Sequence, residues 1–545
     1  MKIHSTSFGQ PADAGGESSD AFAVRQIGDT FIAALADGAG KARGAREAAE
    51  RAVRVIVENF AARPAAWEPS KALREFAHTL NSSLYQESLV RYEQPELVST
   101  LVVAVVEGRR LYGMNIGDSR VYLSRNGKLA QLSLDHTEPN GDRTMLTRAL
   151  GLRKEVEPYF FECEILAGDL ALLCSDGITA TLDDAAIHAS LTRGESARTL
   201  VADAAERATA ETRDDTSAIV LRIVEPGHVR AQARRELPIR GTLKRGENVD
   251  GYELIRSFAH SDRAWLAEKD GARWTLKFAP AEAADNDAIL TAFIREAWNA
   301  ERVCGDEAFV KAFTPANATA RYYVQEFIDA PSLKTVLRSR RLATEEAVAL
   351  GLFLAAAGQR LVRTDLVHGD IKPENILVLP DYAGVRFKLI DLGSAAEIFS
   401  VTSRAGTASY LAPERFRFAP VCERTEIFAI GVTLYESLTG AFPFGEIERF
   451  QTPVFSAPKL PSRRNANIPP WLDSVLLHAL SIEPERRYQH FSEVAFDLAN
   501  PERVEPFHSA NAPIIERLTP RFYRNGFWAL LVATLALLAV LIFRK

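Results

Sequence analysis

The stretch 225–248, EPGHVRAQARRELPIRGTLKRGEN, constrains the chain more than any other, because it is basic, broken by Pro and Gly, and without a sustained apolar period. Such a segment cannot run through the middle of a packed core. It reads as a linker, so the chain folds as separate bodies on either side of it. Length agrees: 545 residues at ~150 per domain allow three or four domains, or two of twice that length. Apolar residues at 47% and charged residues at 25% are typical of folded soluble proteins and exclude disordered or collagen-like architectures. With 65 Lys and Arg against 71 Asp and Glu, the net charge of −6 gives no clustered basic footprint for nucleic acid. The four cysteines (Cys163, Cys174, Cys304 and Cys422) form no CxxC pair, which speaks for a reducing compartment and against a zinc site or disulfide framework. The opening MKIHSTSFGQPADAGGESSD lacks the apolar region of a secretory signal.

The two sides of the linker differ in texture. Before it, residues 98–108, 110–117, 119–133 and 169–177 read as strands, with Asn126-Gly127 as a hairpin signal. Residues 42–62 and 70–92 read as helices, their apolar side chains returning every three or four positions. After Val249, short strands at 274–279 and 321–328 give way to helical segments at 345–362 and 471–481, a small sheet-rich lobe followed by a helical one. No internal repeat relates the halves.

The far end is different again. Residues 527–543, FWALLVATLALLAVLIF, carry no charge, and as a helix at ~1.5 Å per residue they span about 26 Å, slightly short of a ~30 Å hydrocarbon core. Basic residues flank both ends (Arg517, Arg521 and Arg524, then Arg544 and Lys545), with Tyr523 and Trp528 at the expected interface. A buried core helix is the alternative, but a terminal segment apolar all round fits a membrane better. The expectation is a transmembrane helix over 526–543 behind a connector at 501–525, with the preceding domains cytoplasmic. The three arginines on the domain side favour that orientation, and Arg544 and Lys545 oppose it.

Four aspartates stand in turns beside strands: Asp20 in SSDAF, Asp37 in ALADGAG, Asp176 in LLCSDGI and Asp214 in TRDDTSAIV. One Asp-Gly alone is usually a turn. Four clustered carboxylates, without thiolate or imidazole, suit a hard cation such as Mg²⁺ or Mn²⁺. Together with Asp37-Gly38, the order Ser99-Thr100, Gly117-Asp118-Ser119-Arg120, Leu146-Thr147-Arg148-Ala149-Leu150-Gly151, Ser175-Asp176-Gly177 and Asp214-Asp215-Thr216-Ser217 resembles the metal-dependent protein phosphatase family of type 2C over roughly 1–224. The resemblance implies a β-sandwich with flanking helices. It implies that Asp37 bridges two metals, that Asp176 and Asp214 complete one, that Asp20 binds through water and Gly38 through its carbonyl, and that Asp118 serves a weaker third metal. It further implies direct in-line attack of water on phosphorus, without a phospho-enzyme. Two departures stand out. Ser19 precedes Asp20 where an acidic residue is usual, and DAGGES at 13–18 lacks the phosphate-gripping Arg, for which Arg43 is the nearest substitute.

The second body carries His368-Gly369-Asp370-Ile371-Lys372-Pro373-Glu374-Asn375, then Asp391-Leu392-Gly393 and Ala412-Pro413-Glu414, with Lys277 and Glu296 upstream. Phosphoryl transfer needs a Lys on the phosphates, two metal ligands and a carboxylate facing the hydroxyl, and this chain supplies each in the expected order. The set resembles eukaryotic-like Ser/Thr protein kinases over roughly 249–500 and implies their two-lobed fold. By that resemblance Asp370 is the catalytic base, Lys372 touches the transferred group, and Asn375 and Asp391 hold Mg²⁺. Lys277 holds the ATP phosphates steadied by Glu296, and Glu326 joins the nucleotide site; the Lys of IKPEN favours Ser/Thr over Tyr substrates.

Three departures follow. The segment 255–267, IRSFAHSDRAWLA, has no glycine where the Gly-rich loop belongs and reads as a plain β-hairpin. Gly369 replaces the usual Arg before Asp370, and Glu426 replaces a supporting Asp. The whole reads as a multidomain α+β chain, a membrane-anchored protein phosphatase and kinase acting on phosphoproteins, proteins and ATP. Its rivals are a phosphatase tethered to a regulatory or docking pseudokinase and, more distantly, a small-molecule kinase.

Overall fold

The computed structural model describes residues 1–13, 15–39, 42–140, 143–194, 196–227, 237–258, 261–381, 384–397, 407–417, 419–447 and 453–507. They form two compact units. One takes in Met1–Cys304 and Lys311–Phe327 with Glu397; the other takes in Gly305–Val310, Ile328–Ala396 and the described part of 402–545.

The first unit opens with β1 (Lys2–Gln10), β2 (Ala21–Ile27), β3 (Thr30–Ala36), α1 (Ala45–Ala61) and α2 (Pro69–Tyr92). There follow β4 (Leu101–Glu107), β5 (Arg110–Ile116), β6 (Arg120–Arg125), β7 (Lys128–Gln131), the hairpin β8 (Thr137–Asn140) and β9 (Arg143–Leu146), β10 (Tyr159–Glu164) and β11 (Leu170–Cys174). Helices α3 (Asp176–Thr179), α4 (Asp184–Gly194) and α5 (Ala197–Arg207) precede β12 (Thr216–Glu225). Two five-stranded antiparallel sheets result, ordered β1-β12-β11-β6-β7 and β10-β5-β4-β3-β2.

The uniformly apolar strands are explained by burial on both faces. In β3 and β4, Ile32, Ala34, Ala36, Val103 and Val105 face a cluster shared with α1 and α2. The intervening Phe31, Ala33, Leu35, Val102 and Ala104 face the cluster between the sheets, with Val121, Leu173 and Ile219. Period-two alternation persists, but both faces are dry, so no polar residue marks it. Helices α3, α4 and α5 cover the other sheet through Ile178, Ile187, Leu200 and Val201. The order is helices, sheet, sheet, helices. Several expected boundaries move by up to three residues: the runs 42–62 and 98–108 become regular only at Ala45 and Leu101, and the run 169–177 is a strand only to Cys174, because Asp176 opens a short helix.

Of the expected linker, residues 237–248 are not a free tether. Leu237 and Leu243 pack against a small sheet lobe, and Pro238 accepts the Arg321 amide proton. That lobe comprises β13 (Asn248–Val249), β14 (Tyr252–Phe258), β15 (Ser261–Lys269), β16 (Ala272–Phe278), helix α6 (Asp287–Val303), β17 (Ala312–Phe313) and β18 (Tyr322–Glu326), in the sheet order β13-β14-β15-β16-β18-β17. Phe258 pairs with Ser261, so the glycine-free segment lies on the neighbouring antiparallel strands β14 and β15, with Ala259 and His260 outside the described residues.

The second unit is mainly helical: α7 (Leu333–Leu337), α8 (Thr344–Val362), β19 (Leu366–Val367), the hairpin β20 (Ile376–Asp381) and β21 (Gly384–Leu389), α9 (Glu423–Thr439), α10 (Pro470–Ala479) and α11 (Phe491–Ala499). Helix α9 is buried continuously from Thr425 to Thr439, a central helix surrounded on all sides. Of the expected connector, Pro501–Arg503 forms a 3₁₀ turn and Phe507 stacks on His478 at 4.6 Å. Among the described residues no helix is long and apolar enough to cross a membrane; the run 526–543 lies outside them.

Candidate active sites

The first candidate site gathers where β2 begins and where β3 and β11 end. Asp37 follows β3, and its backbone is pinned from three directions. Its N–H donates to Thr100 Oγ1 at 3.0 Å, and its carbonyl accepts from Thr100 N at 2.8 Å and Ser99 Oγ at 2.9 Å. Gly38 lies so close to the start of α1 that a Cβ there would stand 2.6 Å from the Ala45 carbonyl, so the position admits no side chain. Asp20 introduces β2, Asp118 follows β5, and Asp176 follows β11. Asp214 is exposed in the turn before β12.

Burial dominates the electrostatics of this group. It pushes the Asp20 carboxyl up to about 6, assisted by the charge on Asp215. Burial, then the Asp214 charge, likewise raises Asp176 to about 6. Asp118 is raised to about 7 by burial and by Asp176. Asp37 is raised well above the carboxylate range by burial and by Asp176, Asp20 and Asp118. Both carboxylate oxygens of Asp20 and Oδ1 of Asp176 are buried without a hydrogen-bond partner. Charges this close in a desolvated place repel unless a cation lies among them. Among the described residues no three His, Cys, Asp or Glu side chains already close as a finished metal shell. The fit to a hard divalent ion rests on the orphaned oxygens and the all-oxygen donor set.

Sequence reasoning passed over Asp215. Its carboxylate accepts Ala12 N at 2.8 Å, Ser19 N at 2.6 Å and Ser19 Oγ at 2.8 Å. Burial works against its ionisation, yet these bonds hold it below the usual range. Ser19, which replaces the usual acidic residue, is thus the hydroxyl that ties the Asp20 segment to β12. The Asp-Asp doublet at 214–215 was the available signal. Arg43 is exposed, and its amide donates to Glu96 Oε2 at 2.7 Å.

The kinase-like residues divide between the units. In the first, Lys277 Nζ on β16 meets Glu296 Oε1 on α6 at 3.0 Å, and Tyr323 Oη donates to the same oxygen at 2.7 Å. Glu326 ends β18, where its amide donates to the Lys311 carbonyl at 2.8 Å.

In the second unit Asp370 is held from several sides. Thr407 N donates to its Oδ1 at 2.9 Å, Lys372 Nζ lies 2.6 Å from Oδ2, and Asn375 Nδ2 donates to its carbonyl at 2.9 Å and to Oδ2 at 3.2 Å. Lys372 Nζ also donates to Thr407 Oγ1 at 2.6 Å. Asp391 adopts φ 66°, and its Oδ1 accepts Gly393 N at 3.3 Å. Beside Asp370 lies a small recess bordered by Thr407, Tyr410, Arg415 and Glu426.

Both sequence departures here have structural accounts. Gly369 sits at φ 78°, and a Cβ would stand 2.3 Å from the Ser394 carbonyl oxygen, so this backbone excludes an Arg. Glu426, at the start of α9, accepts the amides of His368 at 3.1 Å and Gly369 at 3.2 Å. Burial pushes its carboxyl up to about 7, with both amide bonds acting the other way. Its extra methylene spans the distance, so it supports the turn before Asp370 although the expected residue was Asp.

Comparison with known proteins matches the same two regions. Residues 12–216 fit the family described as Protein phosphatase 2C, and residues 266–496 fit the Protein kinase domain. Serine/threonine-protein kinase PknB of Mycolicibacterium smegmatis is 33% identical over 258 residues, covering 44% of this chain and 40% of that protein. PknB of Mycobacterium tuberculosis is 32% identical over 251 residues, covering 42% and 39%. The chain thus spans about two fifths of the length of these curated relatives. The solved structure of PppA, a key regulatory component of T6SS in Pseudomonas aeruginosa, is 26% identical, covers 41% of this chain and 98% of that one, and gives a TM-score of 0.36.

Proposed function

We propose that this chain, a protein phosphatase 2C domain joined to a protein kinase domain, both removes phosphoryl groups from serine and threonine side chains and places them there. The observation that carries the first half is the buried group of Asp20, Asp37 and Asp176 with its orphaned oxygens. Asp37, Asp176, Asp214, Asp20 and Asp118, with the Gly38 carbonyl, would hold Mg²⁺ or Mn²⁺. Bound there, the ions supply charge neutralisation and a more acidic water. The chain's own part is to fix the carboxylates: Ser99 and Thr100 lock the Asp37 backbone, and Asp215 anchors the Asp20 segment.

For the kinase half, Asp370 accepts the proton of the substrate hydroxyl, and Lys372 lies beside it to meet charge on the transferred group. Lys277, paired with Glu296, would hold the ATP phosphates, and Asn375 and Asp391 would hold Mg²⁺, which would neutralise charge on them. One observation favours the rival reading of a nucleotide-binding or docking pseudokinase. A hairpin closed between Phe258 and Ser261 has no glycine backbone to wrap the phosphates. The apolar run 526–543 anchors the protein in a membrane with both domains cytoplasmic.

Incubating the full chain with labelled ATP, beside Asp391→Ala, separates the two readings of the kinase domain. Label transfer to protein by the parent chain, lost in the variant, supports catalysis. Nucleotide binding without transfer in both supports the pseudokinase.

A further inference from the structure

Helix α6 serves two cores at once. Towards its own lobe it presents Glu296 to Lys277 and packs Phe293 against Tyr323 at 5.7 Å. Trp298, two positions on from Glu296, points about 200° away around the helix at 3.6 residues per turn. That opposite face lies on the phosphatase helices. Trp298 is 4% exposed and joins one apolar cluster with Phe60, Trp67 and Phe76, as do Ile294 and, at its margin, Leu290. Its ring lies 5.4 Å from Phe76 and 6.4 Å from Trp67, and its Nε1–H donates to the Ala62 carbonyl at 2.5 Å.

Polar contacts fix the register. Arg295 reaches Glu75 Oε2 at 2.8 Å and Thr79 Oγ1 at 3.1 Å, and Lys71 meets Asp287 at 2.9 Å. The Arg295–Glu75 pair is only about a quarter exposed, at 23% and 27%, so it is less screened than a surface pair. A Trp on the outer face of a kinase helix would be a liability without a partner, and here α1 and α2 supply the cover.

We propose that Arg295 and Trp298 are positioning residues for phosphoryl transfer, through which the phosphatase domain seats the helix that carries Glu296. The proposal rests on the kinase reading above. Glu296 must be in place for Lys277 to hold the phosphates, and residue 295 precedes it directly, so a shift of α6 on its seat displaces the ion pair. The phosphatase thereby acts as a structural part of the kinase.

The test uses the full chain with Arg295→Glu, Glu75→Arg and the double exchange, which restores the pair in reverse and avoids the cavity of a Trp298 truncation. Each single variant is expected to lower kcat/KM for ATP at least tenfold, leave the KM for the protein substrate within twofold, and speed hydrogen exchange over 287–303 at least tenfold. Phosphatase activity stays within twofold in all three, and the double variant recovers most of the loss. If single variants leave both ATP kinetics and exchange within twofold of the parent, or the double variant recovers neither, the proposal is overturned. Absence of transfer by the parent chain would instead defeat the kinase reading, and exchange over α6 with the affinity for a fluorescent ATP analogue would then decide the seating.

Discussion

Asp37 illustrates how one residue carries opposed requirements. Its carboxyl is raised well above the usual range by burial and by Asp176, Asp20 and Asp118, so without a cation it is an energetic burden, one that the proposed metal site would relieve. Asp37→Asn relieves that repulsion. We expect a loss of more than about 100-fold in Mn²⁺-dependent phosphopeptide hydrolysis without a fall in the melting temperature measured in EDTA. Full activity in the variant, or in EDTA, would contradict the assignment. The same shifts fix a pH dependence. Folded values of about 6 for Asp20 and Asp176 and about 7 for Asp118 exceed the unfolded value, so between roughly pH 4 and 7 the folded chain retains protons that the unfolded chain has lost. Stability in EDTA therefore falls as pH rises through that window. Calorimetry from pH 5 to pH 7.5 should show Tm dropping by roughly 5 °C or more, with Mn²⁺ restoring more at the higher pH. A flat profile in EDTA would refute the shifts. At Gly369 the geometry predicts that Gly369→Ala costs roughly 1–3 kcal/mol, because φ 78° and the Ser394 carbonyl both oppose a Cβ. Thermal denaturation of that variant checks it.

At the scale of elements, the sequence was most legible where one pattern had one cause. Helices α1, α2 and α8 followed from their apolar period, and the β6–β7 turn followed from Asn126-Gly127, whose φ values are 50° and 75°. The motifs supplied most of the candidate site residues because the two families that the chain resembles keep these residue types in a fixed order. What could not be read depended on distant partners. Asp215 stands beside a metal-ligand candidate, and only the fold reveals that it holds Ser19. The apolar stripe on α6 announces a buried face but not what buries it. The segment before Ala412-Pro413-Glu414 yields an element-scale prediction. With Gly369 in place of Arg, position 369 offers no guanidinium for a phosphate to engage, and Thr407 N and Lys372 already hold Asp370. Ser400, Thr402 and Ser403 lie outside the described residues. Complete dephosphorylation should therefore change the kinase rate by less than about tenfold, as initial rates before and after treatment would show.

At the scale of the whole molecule, membrane attachment should reside entirely in the C-terminal run. The full chain is expected in the detergent-extractable membrane fraction and a chain ending at residue 520 in the soluble fraction, with both domains resistant to protease added outside intact cells. Equal membrane binding of the two, or external cleavage of the domains, would dismiss the anchor. Helix α6 has a last consequence, for the order in which the protein is made. Its seat on α1 and α2 is complete by Tyr92, whereas the helix begins only at Asp287. The phosphatase strands end only with β12 at Glu225, and at ~5–20 residues per second a ribosome takes roughly 3–12 s to go from there to Asp287, an interval in which the phosphatase folds first. The nascent kinase lobe then emerges beside a ready-made template for Trp298, and a chain with its domains in the reverse order would have to carry that face bare until synthesis ended.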